Sequence, residues 1–194
     1  MQVLRAKDHR VMPWKNGAGS TTEIAVFPEG AGIGVFDWRV SMAGVVEDGA
    51  FSSFPDIERT LAVLTGEGIV LSVEAHAPVR LTRDGAPVSF PGDIATSATL
   101  IDGPILDLNV MARRGRFTHR LTRHRAPLDI IPEADVTLVL SRGEGLRLGK
   151  NVLAWTMLRS SMSPSPSPRL ATPCFSSLSC GAPSPAYRQL RLYK

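Results

Sequence analysis

From Thr21 to about Val139, apolar and polar positions alternate in short bursts, and no stretch keeps apolar residues at helical spacing for any length. The bursts "TTEIAVF", "FDWRVSMAGV", "RTLAVLTG", "GIVLSVE", "APVRLTR", "ATSATLI", "ILDLNVMA" and "VTLVLS" are rich in β-branched and aromatic residues, so each predicts a strand. Turn chemistry separates them: Gly, Asp and Pro supply the special backbone angles at 28–34, 47–49, 55–58, 66–68, 84–87, 91–93 and 102–104. Strands at intervals of roughly 8 to 12 residues predict an all-β domain of sandwich or barrel type.

Two segments share a plan. "LAVLTGEGIVLSV" at 61–73 and "VTLVLSRGEGLRLG" at 136–149 each read as a strand, a Gly-Glu-Gly turn and a second strand, which suggests two hairpins and two related β units. The units divide as 1–112, carrying the N-terminal motif, and 113–149, a linker and the start of the second unit. Beyond Lys150 the pattern fails. The stretch 150–194, with "SSMSPSPSPRLATPCFSSLSCGAPSPAYRQ", is dense in Ser and Pro, which cannot pack a core and deny the backbone its ladder donors, so it reads as a disordered tail. The codons of "WTML" at 155–158, read one base out of register, give ordinary globular text. A change of reading frame near residue 150 is therefore the second reading of this tail, and it leaves the second β unit incomplete.

Composition narrows the function classes. With 194 residues, 43% of them hydrophobic, a core is within reach, and 22 Lys and Arg against 18 Asp and Glu leave a net charge of only +4. The basic residues cluster only in the run from Arg113 to Arg125, so nucleic acid is not the expected partner. No apolar run reaches the roughly 18 to 20 residues of a bilayer span and the N-terminus lacks a signal-like apolar run, so the expected location is cytoplasmic, without membrane. Cys174 and Cys180 both fall in the Ser/Pro-rich stretch and give no disulfide framework. His9, His76, His119 and His124 form no HxH or HxxxH pair, so neither a metal nor a cofactor is expected. Nucleophile elbows, Walker loops and dinucleotide fingerprints are also absent from the sequence.

Three segments carry candidate chemistry. In "MPWKNGAGSTTEIAVFP" at 12–28, Lys15 brings an ammonium, Asn16 both a donor and an acceptor, and Gly17 and Gly19 a backbone that a ligand can approach. This suits a carboxylate or amide; alternatively Trp14 plugs one end of a barrel, Lys15 is solvated and "NGAG" is only a turn. In "FSSFPDIERTLAVL" at 51–64, alternation puts Arg59 on one face with Leu61 and Val63, and Thr60 with Ala62 and Leu64 on the other. Arg59 is then either a carboxylate clamp at the mouth of an apolar barrel or a surface partner of Asp56 or Glu58. In "GPILDLNVMARRG" at 103–115, Asp107 and Asn109 share a strand face with Ile105 and Met111, and either line a cavity or satisfy buried backbone.

The blocks "MPWKNGAGSTTEIA", "FDWRVSMAGVVEDGAFSSFPDIERTLAVLTGEG", "FPGD" and "LIDGPILDLNVMARRG", in this order, resemble the HutD/Ves family of the cupin superfamily, proteins associated with bacterial histidine utilisation. The resemblance runs from about residue 3 to residue 149 and implies a bicupin-like β-sandwich. The family signature maps onto Pro13, Trp14, Lys15, Asn16, Gly17, Gly19, Trp38, Arg39, Phe54, Pro55, Arg59, Thr60, Asp107, Asn109 and Met111. Metal-binding cupins need histidines that do not follow Pro91, Gly92 and Asp93 here, so the implied site is metal-free. Ligand-binding residues by this resemblance are Trp14, Lys15, Asn16, Gly17, Arg59, Asp107 and Asn109, with no catalytic residue assigned. The implied role is regulation of histidine utilisation by binding a small carboxylic acid of that pathway, such as formylglutamate or urocanate, rather than an enzymatic one. The alternatives are a metal-free hydrolase or isomerase with Glu23 or Asp107 as base, and a protein-interaction module built on "RRGRFTHRLTRHR", a run otherwise read as a solvated linker. A homodimer is compatible with each.

Overall fold

The computed structural model describes residues 2–14, 17, 19–124, 134–140, 146–148, 151–153, 156–161 and 188–193. Along the first part of the chain run β1 (Gln2–Arg5), β2 (Arg10–Pro13), β3 (Gly19–Phe27), β4 (Trp38–Val45), β5 (Gly49–Ala50), β6 (Ile57–Thr65), β7 (Ile69–Val73), β8 (Val79–Leu81) and β9 (Val88–Pro91). They are followed by β10 (Thr96–Leu100), β11 (Ile105–Arg113), β12 (Phe117–Thr122), β13 (Val136–Leu140), β14 (Leu146–Leu148), β15 (Asn151–Leu153), β16 (Thr156–Ser161) and β17 (Arg188–Tyr193). The only helical element among the described residues is a single 3₁₀ turn, Ala6–Asp8, so the all-β expectation is met. Among the described residues no helix is long and apolar enough to cross a membrane.

The central sheet has the order β2-β3-β4-β11-β6-β9, all antiparallel. Both of its faces are covered. On one side Leu61, Val63 and Ile105 pack with Ile69, Leu71, Leu81, Phe90 and Ala98, closing it against the sheet β5-β10-β7-β8. On the other side Trp38, Val40, Ala62, Leu64, Leu108 and Val110 pack with Phe117, Leu121, Leu138 and Leu190 from the sheet β1-β16-β13-β17-β12. A strand buried on both faces has no solvent side, and so residues 59–64 and 107–112 are buried without a break. Leu108, fully buried at the middle of this stack, is expected to cost about 2–5 kcal/mol when changed to Ala, read as a fall in the denaturant midpoint at unchanged slope.

The first Gly-Glu-Gly segment does not form the hairpin that its pattern suggests. β6 pairs with β11 and β9, whereas β7 pairs with β10 and β8, so Gly66 and Gly68 carry the chain from one sheet to the facing one. Gly68 sits at φ +117 against the Leu81 carbonyl, where a side chain would collide with backbone, and this allows the chain to turn a corner between sheets. In the second such segment 141–145 lie outside the described residues, and β14 pairs with β15.

The stretch beyond Lys150 contributes β16, antiparallel to β1 and β13, and β17, parallel to β12 and β13. Residues 162–187, which hold the Ser/Pro repeat and both cysteines, lie outside the described residues. The basic run read as a solvated linker contains β12, whose Phe117 and Leu121 are buried in the core between the sheets.

Candidate functional site: a polar interior on one face of the central sheet

Period-two alternation gives the central sheet an inner face, toward β5-β10-β7-β8, that carries polar groups in three cross-strand rows. Thr21, Ala43, Asp107 and Val63 form the first, Glu23, Ser41, Asn109 and Leu61 the second, and Val26, Arg39, Met111 and Arg59 the third. The register shifts at Glu23/Ala25 and at Leu106/Asp107, so the two irregularities in the ladder fall beside the two carboxylates in these rows, Glu23 and Asp107. Such shifts re-aim side chains locally. Of the polar members, Arg39, Ser41, Arg59, Asp107 and Asn109 are all buried.

Arg59 lies 3% exposed under a roof of aromatic rings, its guanidinium carbon 4.8 Å from the Phe51 centroid, 5.3 Å from Phe90 and 5.7 Å from Phe54. Its Nη1 donates to the Ser52 carbonyl at 3.3 Å, and its Nε is buried with no partner. Burial lowers its pKa to about 10, with Asp107 raising and Arg39 lowering it, so it stays charged at neutral pH. The surface ion pair is not what forms: Arg59 faces the interior and makes no salt bridge with Asp56 or Glu58.

Asp107 is 1% exposed, and one of its carboxylate oxygens, Oδ1, is buried without a partner. Burial raises its pKa to about 7, against the pull of the Arg59 guanidinium and a hydrogen bond from the Ala43 backbone. Asn109, two residues on, also has a buried, unpartnered Oδ1. Arg39 is satisfied differently, its Nε donating to Glu23 Oε2 at 2.7 Å.

Trp14 is tied to this face at Thr21. Trp14 Nε1 donates to Thr21 Oγ1 at 2.8 Å, and the Trp14 backbone N–H donates to the Gly19 carbonyl at 2.9 Å. A side chain at Gly19 would run into the Gly44 carbonyl and the Trp14 ring, so the ring folds over its own turn only because this position is Gly. Gly17, at φ +74 and exposed, donates its N–H to the Trp14 carbonyl at 3.1 Å, so that donor is used within the turn. Lys15 and Asn16 lie outside the described residues. Trp14, Gly17, Arg59, Asp107 and Asn109 are therefore the expected site residues that can be placed, and the last three face one interior. Ser41 was not singled out from the sequence, although its place two residues after Arg39 in "WRVSMAG" marks a polar stripe.

On the outer face of β6, Thr60 Oγ1 lies 2.7 Å from Ser89 Oγ and 2.7 Å from His119 Nε2. Burial pushes the His119 pKa down to about 4. A lowered histidine pKa adds stability that is present above the unfolded value of 6.5 and is lost as pH falls toward 4. His119→Gln, which keeps a group for Thr60, is expected to gain on the parent by up to about 3 kcal/mol over that fall; parallel pH–stability curves would refute this. Among the described residues no group of three or more His, Cys, Asp or Glu is placed to hold a metal ion.

A central antiparallel sheet closed by a second sheet over a row of buried polar residues defines an all-β sandwich with a polar interior. A family model described as HutD matches residues 6–160, and this chain belongs to the HutD family. It is 39% identical over 121 residues to a 21.2 kDa protein in the hutC 3′ region of Pseudomonas putida, covering 62% of this chain and 63% of that one. It is 41% identical over 113 residues to protein Ves of Citrobacter koseri, covering 56% and 58%. These matches span about three-fifths of those relatives' length. Among solved structures, HutD from Pseudomonas fluorescens SBW25 in the formate condition superposes with a TM-score of 0.68 at 34% identity, over 82% of this chain and 86% of that one. A conserved protein of unknown function from Pseudomonas aeruginosa PAO1 gives 0.68 and 35% over the same shares.

Proposed function

We propose that this protein binds a small carboxylic acid of histidine breakdown, with formylglutamate and urocanate as the candidates, inside the barrel and without metal, and that it serves regulation. The observation that carries the reading is that Arg59 Nε, Asp107 Oδ1 and Asn109 Oδ1, three buried polar atoms without partners, belong to residues on one sheet face. Leaving such atoms unpaired costs about 1–3 kcal/mol each, which a ligand with matching groups recovers. The pattern supports a ligand with oxygen acceptors for Arg59 and for an Asp107 carboxyl that holds its proton near neutrality, and with an N–H for the Asn109 carbonyl. With Asp107 protonated, Arg39 and Arg59 face the single carboxylate of Glu23, and an anion balances the surplus. Formylglutamate offers carboxylates beside an amide N–H, and urocanate a carboxylate and an imidazole. The similar Pseudomonas fluorescens structure belongs to a formate condition, and formate is the smallest carboxylate. In this reading Lys15 joins Arg59 on the carboxylate, Asn16 joins Asn109, and Trp14 walls the cavity.

Titration calorimetry with formylglutamate, urocanate, histidine and glutamate tests the proposal. One of the two pathway acids is expected to bind saturably and to raise the melting temperature by mass action; no heat and no thermal shift with either overturns it. Asp107 also favours a second reading, since a carboxyl with a pKa of about 7 is suited to general acid–base work. Prolonged incubation separates the two: recovery of the acid unchanged supports a binding protein, and its conversion supports a metal-free enzyme.

A further inference from the structure

The outer side of the same strands holds a second cleft, of about 340 Å³, lined by Glu58, Ser89, Arg114, Phe117, Thr118 and His119. It is separate from the barrel interior. Arg59 and Phe90 are cross-strand partners that point inward, so their neighbours Thr60 and Ser89, also partners, point outward, and Glu58 lies on the outward face with them. Thr60 has one hydroxyl proton and two neighbours at 2.7 Å, a hydroxyl oxygen and a ring nitrogen, so it donates to one of Ser89 and His119 and accepts from the other. Thr60 and the His119 Nε2 are thereby used up. The exposed Ser89 hydroxyl keeps a lone pair for a donor in the cleft whichever way its bond to Thr60 runs.

The charge around the cleft is unbalanced. Arg114 is held by Asp93 through both of its terminal nitrogens, and Asp56 acts on it as well. Glu58, with its side chain 36% exposed, reaches Arg114 only at 4.0 Å. Its pKa is raised by burial, with Arg114 lowering it and Asp93 raising it further. Three carboxylates thus surround one guanidinium that is already committed to one of them. His119, neutral through burial, adds no positive charge at pH 7. Phe117, 6% exposed, supplies an apolar wall.

The geometry points to a second binding site here, for a small organic cation: a protonated amine or amidine on a short apolar body, its charge on Glu58, an N–H on Ser89 and its body against Phe117. A volume near 340 Å³ is at the lower end of ligand pockets and suits a molecule of this kind. The site owes nothing to the acid proposed for the barrel interior, and its test uses no acid of that kind.

The experiment is an NMR titration of the full chain at pH 7 with benzylamine, which is a cation there, beside benzyl alcohol and benzoate, following the histidine imidazole signals. The His119 resonance is assigned by its loss in His119→Gln. Benzylamine is expected to bind saturably and to move the His119 signal, with benzyl alcohol and benzoate at least about tenfold weaker. Glu58→Gln is expected to weaken benzylamine at least about tenfold with its melting temperature retained. Asp93→Asn, which frees Arg114 to turn onto Glu58, is expected to weaken it as well. Equal binding of the alcohol, unchanged affinity in both variants, or saturation without movement of the His119 signal each overturns the inference, as does a failure of benzylamine to bind.

Discussion

Arg59→Ala is expected to lower the affinity for the bound acid by about tenfold to hundredfold at pH 7, the range of one lost charge-assisted hydrogen bond of about 1.5–3 kcal/mol. In the proposed site this residue is the strongest single contributor. Its guanidinium is fixed by the Ser52 carbonyl and by Phe51, Phe54 and Phe90, so little order remains to be lost on binding, and its Nε is the buried donor with no other use. Removing it also takes away the one charge that holds the Asp107 pKa down, so the Asp107 carboxyl climbs further and keeps its proton over a wider range. Arg59→Lys keeps the charge without the planar fork and is expected to fall between parent and Ala variant. Calorimetry with the acid that binds the parent reads both. An affinity for the Ala variant within about twofold of the parent would remove Arg59 from the site.

Asp107→Asn is expected to raise stability above pH 7 and to change the pH dependence below it. In the parent the folded pKa of about 7 stands above the ordinary value of 3.8, so protonation favours the folded state. That contribution is full below about 3.8 and is lost as pH rises to 7, by about 1.4 kcal/mol per pH unit and about 4 kcal/mol in all. His119 works in the opposite sense between 6.5 and about 4, where its contribution is lost as pH falls. Over that shared window the two slopes nearly cancel in the parent, and each single variant exposes the other group. Asp107→Asn should therefore be acid-sensitive between pH 6.5 and 4 where the parent is flat, and His119→Gln should lose stability on raising the pH through the same range. Denaturant melts at unit pH intervals measure both. An Asp107→Asn curve parallel to that of the parent would show that this carboxyl titrates as an ordinary one.

The strands beginning at Gly19, Trp38, Ile57, Ile69, Ile105 and Val136 were legible because alternation is a local property of the chain. For the same reason the sequence placed Arg59 with Leu61 and Val63, opposite Thr60, Ala62 and Leu64, as they stand in the two cores. β12 was hidden by its charges: Arg116, Arg120 and Arg123 surround Phe117, His119 and Leu121, whose own alternation was the available signal. The Gly-Glu-Gly turn misled for a different reason. A pair of glycines permits a tight turn but does not say whether the next strand returns beside its predecessor or crosses to another sheet, and only the pairing of β7 with β10 and β8 settles it.

The amino-acid sequence by itself determined the all-β class, the strand faces, the family and the residue types of the candidate site, since each depends on spacing along the chain or on motifs within it. Only the tertiary structure decided that the face bearing Arg59, Asp107 and Asn109 looks inward rather than to solvent, and that Arg59 lies beneath aromatic rings rather than beside Asp56 or Glu58. It also decided which carboxyl holds its proton near neutrality. The physical reason is that burial is non-local: a polar residue on a strand is spaced alike whether a second sheet covers it or water does, and its pKa and unmet hydrogen bonds follow from what covers it.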